Sequence, residues 1–420
     1  MEQAPAPHLM PDEAQQAASS QDSSLITHHS SLSGVRVVAF ELAAAGPFCS
    51  HLLAEMGAEV IKIERPGTGD VIREWDTAVR GLSSGYVWLS PGKRSVTLDV
   101  KKPEGRAILR RLAEGADVFL QNFAPGVAEG LGVGYTDLAA ANPRLVYCAL
   151  SGYGQDGPYR DVKAFDLLIQ GEAGILATTG YPDAPAKVGV PLADIAAGMY
   201  AALGIVLALY QREHTGRGQM VDVAMFEAIL SWLGYFPHHY WHRGEEPERV
   251  GMRHHYVTPY GPYLAADGQY VNLVVASARD WETFCRQVIE RPELLDDPRF
   301  ATVPARRANR AALEQAIEEI IATADHEHWL ARLRAAGLPH GEVRGMAQVL
   351  AHPQVAARRM IREVDSPVGR VPVIASALHL SDSPAQHGRI PALGEDTAAV
   401  LTDLGYDAAA IERLRAEGVI

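Results

Sequence analysis

Short apolar runs alternate with helix-length stretches over the first half of the chain, and this alternation limits the folds that the chain can adopt. The apolar runs are 35–40, 58–64, 117–121 and 145–151, and the helix-length stretches are 46–56, 102–114, 164–177 and 195–213. Strands of four to seven residues that alternate with such helices are typical of βαβ units. We therefore predict an α/β fold with a mostly parallel, doubly wound sheet.

The pattern changes near residue 225 and returns near residue 345. Segment 232–255 is aromatic and rich in histidine, and 260–264 and 270–274 flank Asp267-Gly268, which is a hairpin signal. These changes predict a smaller α+β domain inserted into the sheet domain. The expected organisation is a disordered tail at 1–33, the large domain at 34–225 and 346–420, and the small domain with its linkers at 226–345.

Charge and cysteine content restrict the partners and the compartment. The net charge of −13 argues against a protein that coats nucleic acid or binds an anionic membrane. The three cysteines are widely spaced without a CxxC pair, which argues against a disulfide framework and a cysteine zinc site. Segment 1–33 contains no Lys or Arg and has neither a secretory nor a mitochondrial signal pattern. The run 195–210 is too short to span a bilayer comfortably, so we expect a core helix in a cytoplasmic protein.

Searches for general catalytic motifs return little. The chain has no complete GxGxxG fingerprint, no Walker A motif and no GxSxG nucleophile elbow. His238, His239 and His242 have helical spacing that could hold a metal, but a polar, partly exposed segment between domains is the simpler interpretation. We predict no metal.

Two acidic residues stand in apolar surroundings and are the strongest candidates for chemistry. Asp166 lies in Phe-Asp-Leu-Leu, and Asp194 directly precedes a long apolar helix. The residues alone favour Asp194 as an N-cap, which satisfies the free N–H groups of a helix start. The alternative is a carboxylate nucleophile beside an apolar pocket.

An ordered set of short phrases resembles the class III coenzyme A (CoA) transferases, the family of formyl-CoA transferase and carnitine CoA-transferase. The resemblance extends over residues 35–420. The phrases are Gly46-Pro47, AEVIKIERPG at 58–67 with Gly69-Asp70, Lys93-Arg94-Ser95 with Leu98-Asp99, NFAPG at 122–126, SGYG at 151–154, Asp194 with Gly198, TGRGQ at 215–219, and PALGE at 391–395 with LGY at 404–406.

The resemblance implies a Rossmann-like large domain, a small domain on two linkers, and two chains interlocked as a homodimer. It also implies that Asp194 is the nucleophile, which forms an aspartyl anhydride and then an aspartyl-CoA thioester. CoA would be a substrate, with no tightly bound cofactor. The family's CoA contacts fall on Ala45, Arg65, Lys93, Asn122, Phe123 and Lys163.

The chain departs from formyl-CoA transferase at three places. Ala44 replaces a glutamine, Gly130 replaces an arginine after the Asn-Phe pair, and 251–263 lacks the glycine-rich lid. These changes argue against formyl or oxalate substrates. We hypothesise that Arg253, His254 and His255 bind the far carboxylate of a dicarboxylic acyl group, such as succinyl, malyl, citramalyl or mesaconyl; the alternative is that they only border the cleft.

Two other functions remain open at this point. The α-methylacyl-CoA racemases share the fold but use a His-Asp dipeptide for proton transfer, and this chain has Phe165-Asp166 there. A phenylalanine cannot carry a proton, so a racemase is disfavoured. The second alternative is a CoA-binding protein without catalysis, against which the intact Asp194 argues.

Overall fold

A parallel sheet forms the centre of the molecule, as the alternating pattern predicts. The computed structural model describes residues 30–420. Its first eight strands are β1 (Arg36–Phe40), β2 (Glu59–Glu64), β3 (Lys93–Thr97), β4 (Val118–Gln121), β5 (Val146–Ser151), β6 (Gly180–Tyr181), β7 (Ala184–Pro185) and β8 (Met220–Ala224). Six of them form one sheet in the order β3-β2-β1-β4-β5-β8, and every neighbouring pair is parallel. The short pair β6 and β7 forms a separate antiparallel hairpin.

Helices cover both faces of this sheet. The first ten are α1 (Ala45–Glu55), α2 (Ser84–Leu89), α3 (Pro103–Glu114), α4 (Val127–Gly130), α5 (Tyr135–Ala141), α6 (Asp166–Glu172), α7 (Ile175–Thr178), α8 (Leu192–Thr215), α9 (Met225–Trp232) and α10 (Phe236–Arg243), and a 3₁₀ turn spans Val71–Glu74. Helices α1, α6, α8 and α9 share one apolar core with the sheet, and α3 and α5 share the core on the opposite face. The predicted α/β architecture with a parallel sheet is confirmed.

A separate apolar core belongs to the segment that follows the change in sequence pattern. Its elements are β9 (Tyr260–Leu264), β10 (Tyr270–Val274), α11 (Ala278–Thr283) with a π-helical turn at Phe284–Val288, α12 (Glu293–Asp296), α13 (Val303–Ala308), α14 (Arg310–Ile321), α15 (His326–Ala335) and β11 (His340–Glu342). The three strands form an antiparallel sheet in the order β11-β10-β9, and the core between this sheet and its helices contains Trp281, Phe284 and Trp329. The predicted hairpin at 260–274 is confirmed with the same strand boundaries.

The C-terminal segment returns to the parallel sheet. It contains α16 (Met346–Leu350), α17 (Pro353–Ala357), β12 (Ile361–Val364), β13 (Val371–Ile374), α18 (Thr397–Asp403) and α19 (Ala408–Ala416). The backbone N–H groups of Ser95 and Thr97 on the edge strand β3 donate to the side chains of Asp396 and Thr397, each at 3.0 Å. These bonds cover an edge that would otherwise expose unpaired backbone groups.

Most of the predicted tail, residues 1–29, lies outside the described residues. The last residues of the 1–33 stretch are described, and there Leu32 N–H donates to Met56 O at 2.9 Å. Hydrogen-bonded contacts therefore begin slightly before the predicted boundary at residue 34.

The predicted helix at 164–177 is wrong as one continuous element. The structure has α6 and α7 instead, separated by Gly174 with a φ of +88°. A left-handed residue cannot continue a right-handed helix, and glycine adopts that conformation without steric cost.

Candidate active site

The carboxyl ends of β1 and β4 meet where the strand order of the sheet reverses. From β1 the chain proceeds to β2 and β3 on one side, and then to β4, β5 and β8 on the other. Ligands of doubly wound sheets bind at such a switch point. The Asn122 side chain, which follows β4, links to the backbone after β1. Its Oδ1 accepts from Leu42 N–H and its Nδ2 donates to Leu42 O, both at 2.9 Å.

A groove of about 360 Å³ opens at this edge of the sheet. Two of the predicted CoA contacts, Arg65 and Phe123, line it, and the Phe123 ring lies 4.2 Å from the ring of Phe40. The other lining residues are Leu42, Ile63, Glu64, Leu98, Asp99, Val100, Lys101, Gly126, Val127, Gly130 and Leu131. An aromatic, mostly apolar floor with cations at the rim suits an adenine ring that carries phosphates.

Lys93 is not at this rim, so the structure corrects its predicted phosphate contact. Its ammonium is buried and lies 3.0 Å from Glu41 Oε1 and 2.9 Å from Pro47 O. Burial lowers the pKa of Lys93 to about 8, against the opposing effect of Glu41. Lys93 is neither a solvated surface charge nor free to reach a phosphate.

Lys93 belongs to a buried ionic cluster that the sequence analysis missed. Lys62 Nζ lies 2.7 Å from Asp70 Oδ2 and 3.3 Å from Glu41 Oε1, and all three side chains are fully buried. The other oxygen of Asp70 accepts the backbone N–H of Ala43 at 3.0 Å. Ala43 has a φ of +60°, which is strained for a residue with a Cβ. The cluster therefore fixes the strained loop between β1 and α1, beside the switch point.

Ala45 is the first residue of α1 and is buried. Helix α8 approaches it closely, because a Cβ placed on Gly198 would lie only 2.8 Å from Ala45 O. Glycine at 198 permits this contact between the two helices. One turn before Gly198 stands Asp194, so the candidate nucleophile lies next to the helix that starts at the switch point.

The structure corrects the expectation that Asp194 is an N-cap. Helix α8 begins at Leu192, so Asp194 is in its first turn. Asp166 does the capping instead, since its Oδ1 accepts Ala193 N–H at 2.7 Å. Gln170 donates to the other oxygen of Asp166 at 2.7 Å and accepts Val188 N–H at 3.0 Å. Asp166 and Gln170 thus tie α6 to the chain that leads into α8.

Asp194 is half-buried, and within residues 30–420 its carboxylate accepts no hydrogen bond. Burial raises the pKa of Asp194 to about 7, with a further contribution from the neighbouring Asp166 carboxylate. Both effects make the negative charge costly at this position. A perturbed carboxylate without a structural partner is a common property of catalytic groups.

Lys163 and the residues of the predicted substrate triad do not line the groove. Lys163 is exposed on the loop between β5 and α6 and does not line it. Arg253 is occupied, because its Nη2 lies 2.7 Å from Glu318 Oε1, its Nε lies 3.6 Å from Glu314 Oε2, and its guanidinium packs 3.8 Å from the ring centre of Tyr263. The structure therefore does not leave Arg253 free to bind a substrate carboxylate.

His254 and His255 also have local partners. His254 Nδ1 accepts the backbone N–H groups of Tyr256 and Val257, and its ring stacks 4.8 Å from Tyr260. His255 packs against Phe236, and burial lowers the pKa values of both histidines. A neutral imidazole attracts a carboxylate less than an imidazolium does, and Arg253 is already paired with glutamates, so the three residues do not form an anion site made of three free cations.

Comparison with known proteins identifies the family. The family model described as CoA-transferase family III matches residues 32–397. The chain belongs to CoA-transferase family III.

Within residues 30–420, no group of three or more His, Cys, Asp or Glu side chains could hold a metal ion.

Individual relatives agree with this assignment. The chain is 37% identical to succinyl-CoA–D-citramalate CoA-transferase of Chloroflexus aurantiacus, over 89% of this chain and 94% of the relative. It is 36% identical to acetyl-CoA:oxalate CoA-transferase of Acetobacter aceti, over 87% and 94%. A solved CAIB/BAIF family protein from Brucella suis superposes with a TM-score of 0.80 at 36% identity, over 90% of this chain and 100% of that one. The enzyme is a CoA-transferase of this class.

Proposed function

We propose that the enzyme moves CoA from an acyl-CoA to a dicarboxylic acid through covalent intermediates on Asp194. The carboxylate attacks the thioester carbonyl, which gives an acyl-aspartyl anhydride and the CoA thiolate. The thiolate then attacks the aspartyl carbonyl and releases the donor acid, so that an aspartyl-CoA thioester remains. The acceptor carboxylate attacks this thioester, and the thiolate returns to the new acyl group, which regenerates Asp194.

The environment of Asp194 is the observation that carries this proposal. Its charge is disfavoured by burial and by Asp166, and acylation removes that charge. The anhydride and the thioester have no charge at Asp194, so they avoid the unfavourable free energy that the buried, charged carboxylate has. The part of this relief that is already realised in the transition state, where charge moves from Asp194 onto the thioester oxygen, lowers the barrier to acylation.

The groove at the switch point is the proposed CoA site. Phe123 would stack on adenine, Arg65 would face the phosphates, and Asn122 and Ala45 would border the pantetheine as it passes toward Asp194. This route runs from the groove across the carboxyl ends of β1 and β4, where Asn122 is bonded to Leu42. Lys163 is exposed beside this route and remains a proposed contact.

A dicarboxylic acceptor is proposed from the names of the relatives. Citramalate and oxalate, the acids in the names of the two relatives above, are dicarboxylates. Of the two thioesters named, succinyl-CoA derives from a dicarboxylic acid and acetyl-CoA from a monocarboxylic one. Since Arg253 is engaged by two glutamates, the group that binds the second carboxylate is left open. Because an oxalate enzyme is about as similar as a citramalate enzyme, oxalate belongs among the acceptors to be tested.

We further propose that the enzyme is a cytoplasmic homodimer whose two chains interlock along α8. This helix is long and apolar enough to cross a membrane by length and mean hydropathy alone, but 44% of its most apolar window is buried within the chain. Its outer face exposes large apolar side chains, among them Leu203, Leu207 and Tyr210. An apolar face of this extent on a helix that carries the nucleophile favours coverage by a second copy.

A turnover assay tests the proposed reaction. Purified enzyme is incubated with succinyl-CoA and, in separate reactions, with citramalate, mesaconate, malate, oxalate or the monocarboxylate propionate. Liquid chromatography measures the new acyl-CoA. We expect transfer to at least one dicarboxylate, and loss of at least a thousandfold in kcat in Asp194→Asn. Transfer only to propionate would refute the substrate class, and full activity in Asp194→Asn would refute the mechanism.

A further inference from the structure

The loop between β5 and α6 brings an arginine to the rim of the proposed CoA groove. Arg160 lies on this loop, and β5 is the neighbour of β4 in the sheet. A Cβ placed on Gly126 would lie 3.7 Å from Arg160 Nη2. Gly126 lines the groove in the loop that follows Asn122 and Phe123. The guanidinium is thus held beside the residues that we propose for CoA.

One end of this guanidinium is anchored and the other is free. Arg160 Nε donates to Gln155 O at 2.9 Å, and Nη1 lies 3.2 Å from Asp161 Oδ1. Within the described residues, Nη2 has no hydrogen-bond acceptor. Asp161 is 81% exposed, so this ion pair is screened by solvent and does not cancel the charge of Arg160.

The rim of the groove beside α4 carries no charge at its last residue, Gly130. Gly130 lines the groove, and a Cβ there would meet no atom within 4 Å, so space is open at this point of the rim. CoA carries three phosphate groups, which cations would bind. On the side of β2 and β3, Arg65 and Lys101 line the groove. On the side of β4 and β5, Arg160 and Lys163 are the cations that the β5–α6 loop supplies.

We propose that Arg160 binds a phosphate group of CoA through Nη2. This inference rests on the proposed CoA site. Arginine suits this role because its planar fork can bind two phosphate oxygens while Nε keeps its backbone acceptor. The bound phosphate is either the 3′-phosphate or the diphosphate of CoA, and both present the same oxygen chemistry.

Calorimetric titration of the full chain with CoA tests the inference. Arg160→Met removes the charge, and Arg160→Gln removes the charge but keeps a donor for Gln155 O. Arg110→Met is the matched control, since Arg110 is an exposed arginine of α3 in a pair with Glu114 at 2.8 Å and does not line the groove. We expect the Kd for CoA to rise about tenfold in both Arg160 variants and to remain unchanged in Arg110→Met.

Titration with 3′-dephospho-CoA identifies the phosphate. If the variants and the wild type bind this analogue equally, Arg160 binds the 3′-phosphate; if the tenfold difference persists, Arg160 binds the diphosphate. Unchanged CoA affinity in both Arg160 variants would overturn this inference while leaving the proposed function intact. Absence of CoA binding by the wild type would overturn both.

Discussion

The Asp166 carboxylate accepts the backbone N–H of Ala193 at 2.7 Å, one residue before Asp194. One acidic side chain therefore caps the helix, and the other is left in the first turn without a hydrogen bond. Because Asp166 also contributes to the raised pKa of Asp194, the cap and the candidate nucleophile are electrostatically linked. Asp166 is thus a positioning residue that also influences the charge of its neighbour.

Replacing Asp166 with asparagine should move the acid limb of the pH profile of kcat/KM to lower pH. The pKa of Asp194 is raised first by burial and second by Asp166, so removing the second cause lowers it, and the carboxylate stays ionised at lower pH. Asparagine keeps an oxygen acceptor for Ala193 N–H. Asp166→Ala, which also removes the cap, should in addition lose about 1 kcal/mol of stability. An acid limb that stays in place in both variants would show that Asp166 does not act on Asp194.

Asp194→Asn should stabilise the fold at pH 8. The pKa of Asp194 in the folded chain, about 7, exceeds the ordinary aspartate value of 3.8. Between these values the folded chain binds more protons than the unfolded chain, so stability falls as the pH rises. The destabilisation of the folded chain by the ionised Asp194 is absent below the pKa of the unfolded chain, and it is complete above about pH 7. Removing the ionisable group should therefore raise the free energy of unfolding at pH 8 by about 1–3 kcal/mol. Urea unfolding at pH 8 and pH 4 measures this, and equal stability at pH 8 would contradict the account.

The sequence predicted the centre of the sheet better than its edges. Strands β1, β2, β4 and β5 were recognised within one residue, because strands buried on both faces are continuous apolar runs. The edge strands β3 and β8 were not recognised as strands. Strand β3 begins with Lys93-Arg94, and their charges are satisfied by partners from distant parts of the chain, such as Glu41 and Glu59. No local pattern reveals such partners.

The site was predicted unevenly for the same reason. Arg65 follows β2, and Asn122 and Phe123 follow β4. These two strands flank β1, so topology alone brings the three residues to one edge of the sheet. Lys62 within Val-Ile-Lys-Ile was an available signal, since a charge in a buried strand requires a partner. The resemblance assigned phosphate to Lys93, but its actual partner, Glu41, is 52 residues away in the sequence. The pairing of Arg253 was not foreseen, because its two glutamates lie on α14, more than 60 residues later.

Arg253→Met should weaken the fold without changing the choice of acceptor. The substitution removes contacts with Glu318, Glu314 and the Tyr263 ring, which together should cost about 1–2 kcal/mol. Thermal unfolding measures the loss, and the ratio of kcat/KM for dicarboxylate and monocarboxylate acceptors measures selectivity. A selective loss of dicarboxylate turnover would show that Arg253 binds substrate after all.

Leu207→Glu should convert the proposed dimer into monomers. Leu207 lies on the exposed face of α8 with 58% of its surface accessible, so a buried glutamate in an apolar interface would be strongly unfavourable. Analytical ultracentrifugation compares the variant with Arg110→Met, a surface change on α3 that should remain dimeric. A wild-type enzyme that sediments as a monomer at micromolar concentration would refute the proposed dimer.

Mass spectrometry of the enzyme after brief incubation with succinyl-CoA, without an acceptor, tests the central claim most directly. The account predicts an adduct of one CoA less one water on the peptide that contains Asp194, and replacement of this adduct by a hydroxamate at Asp194 after treatment with hydroxylamine. Asp194→Asn should give neither product. An enzyme that transfers CoA at full rate without any adduct at Asp194, or with the adduct on another residue, would contradict the account.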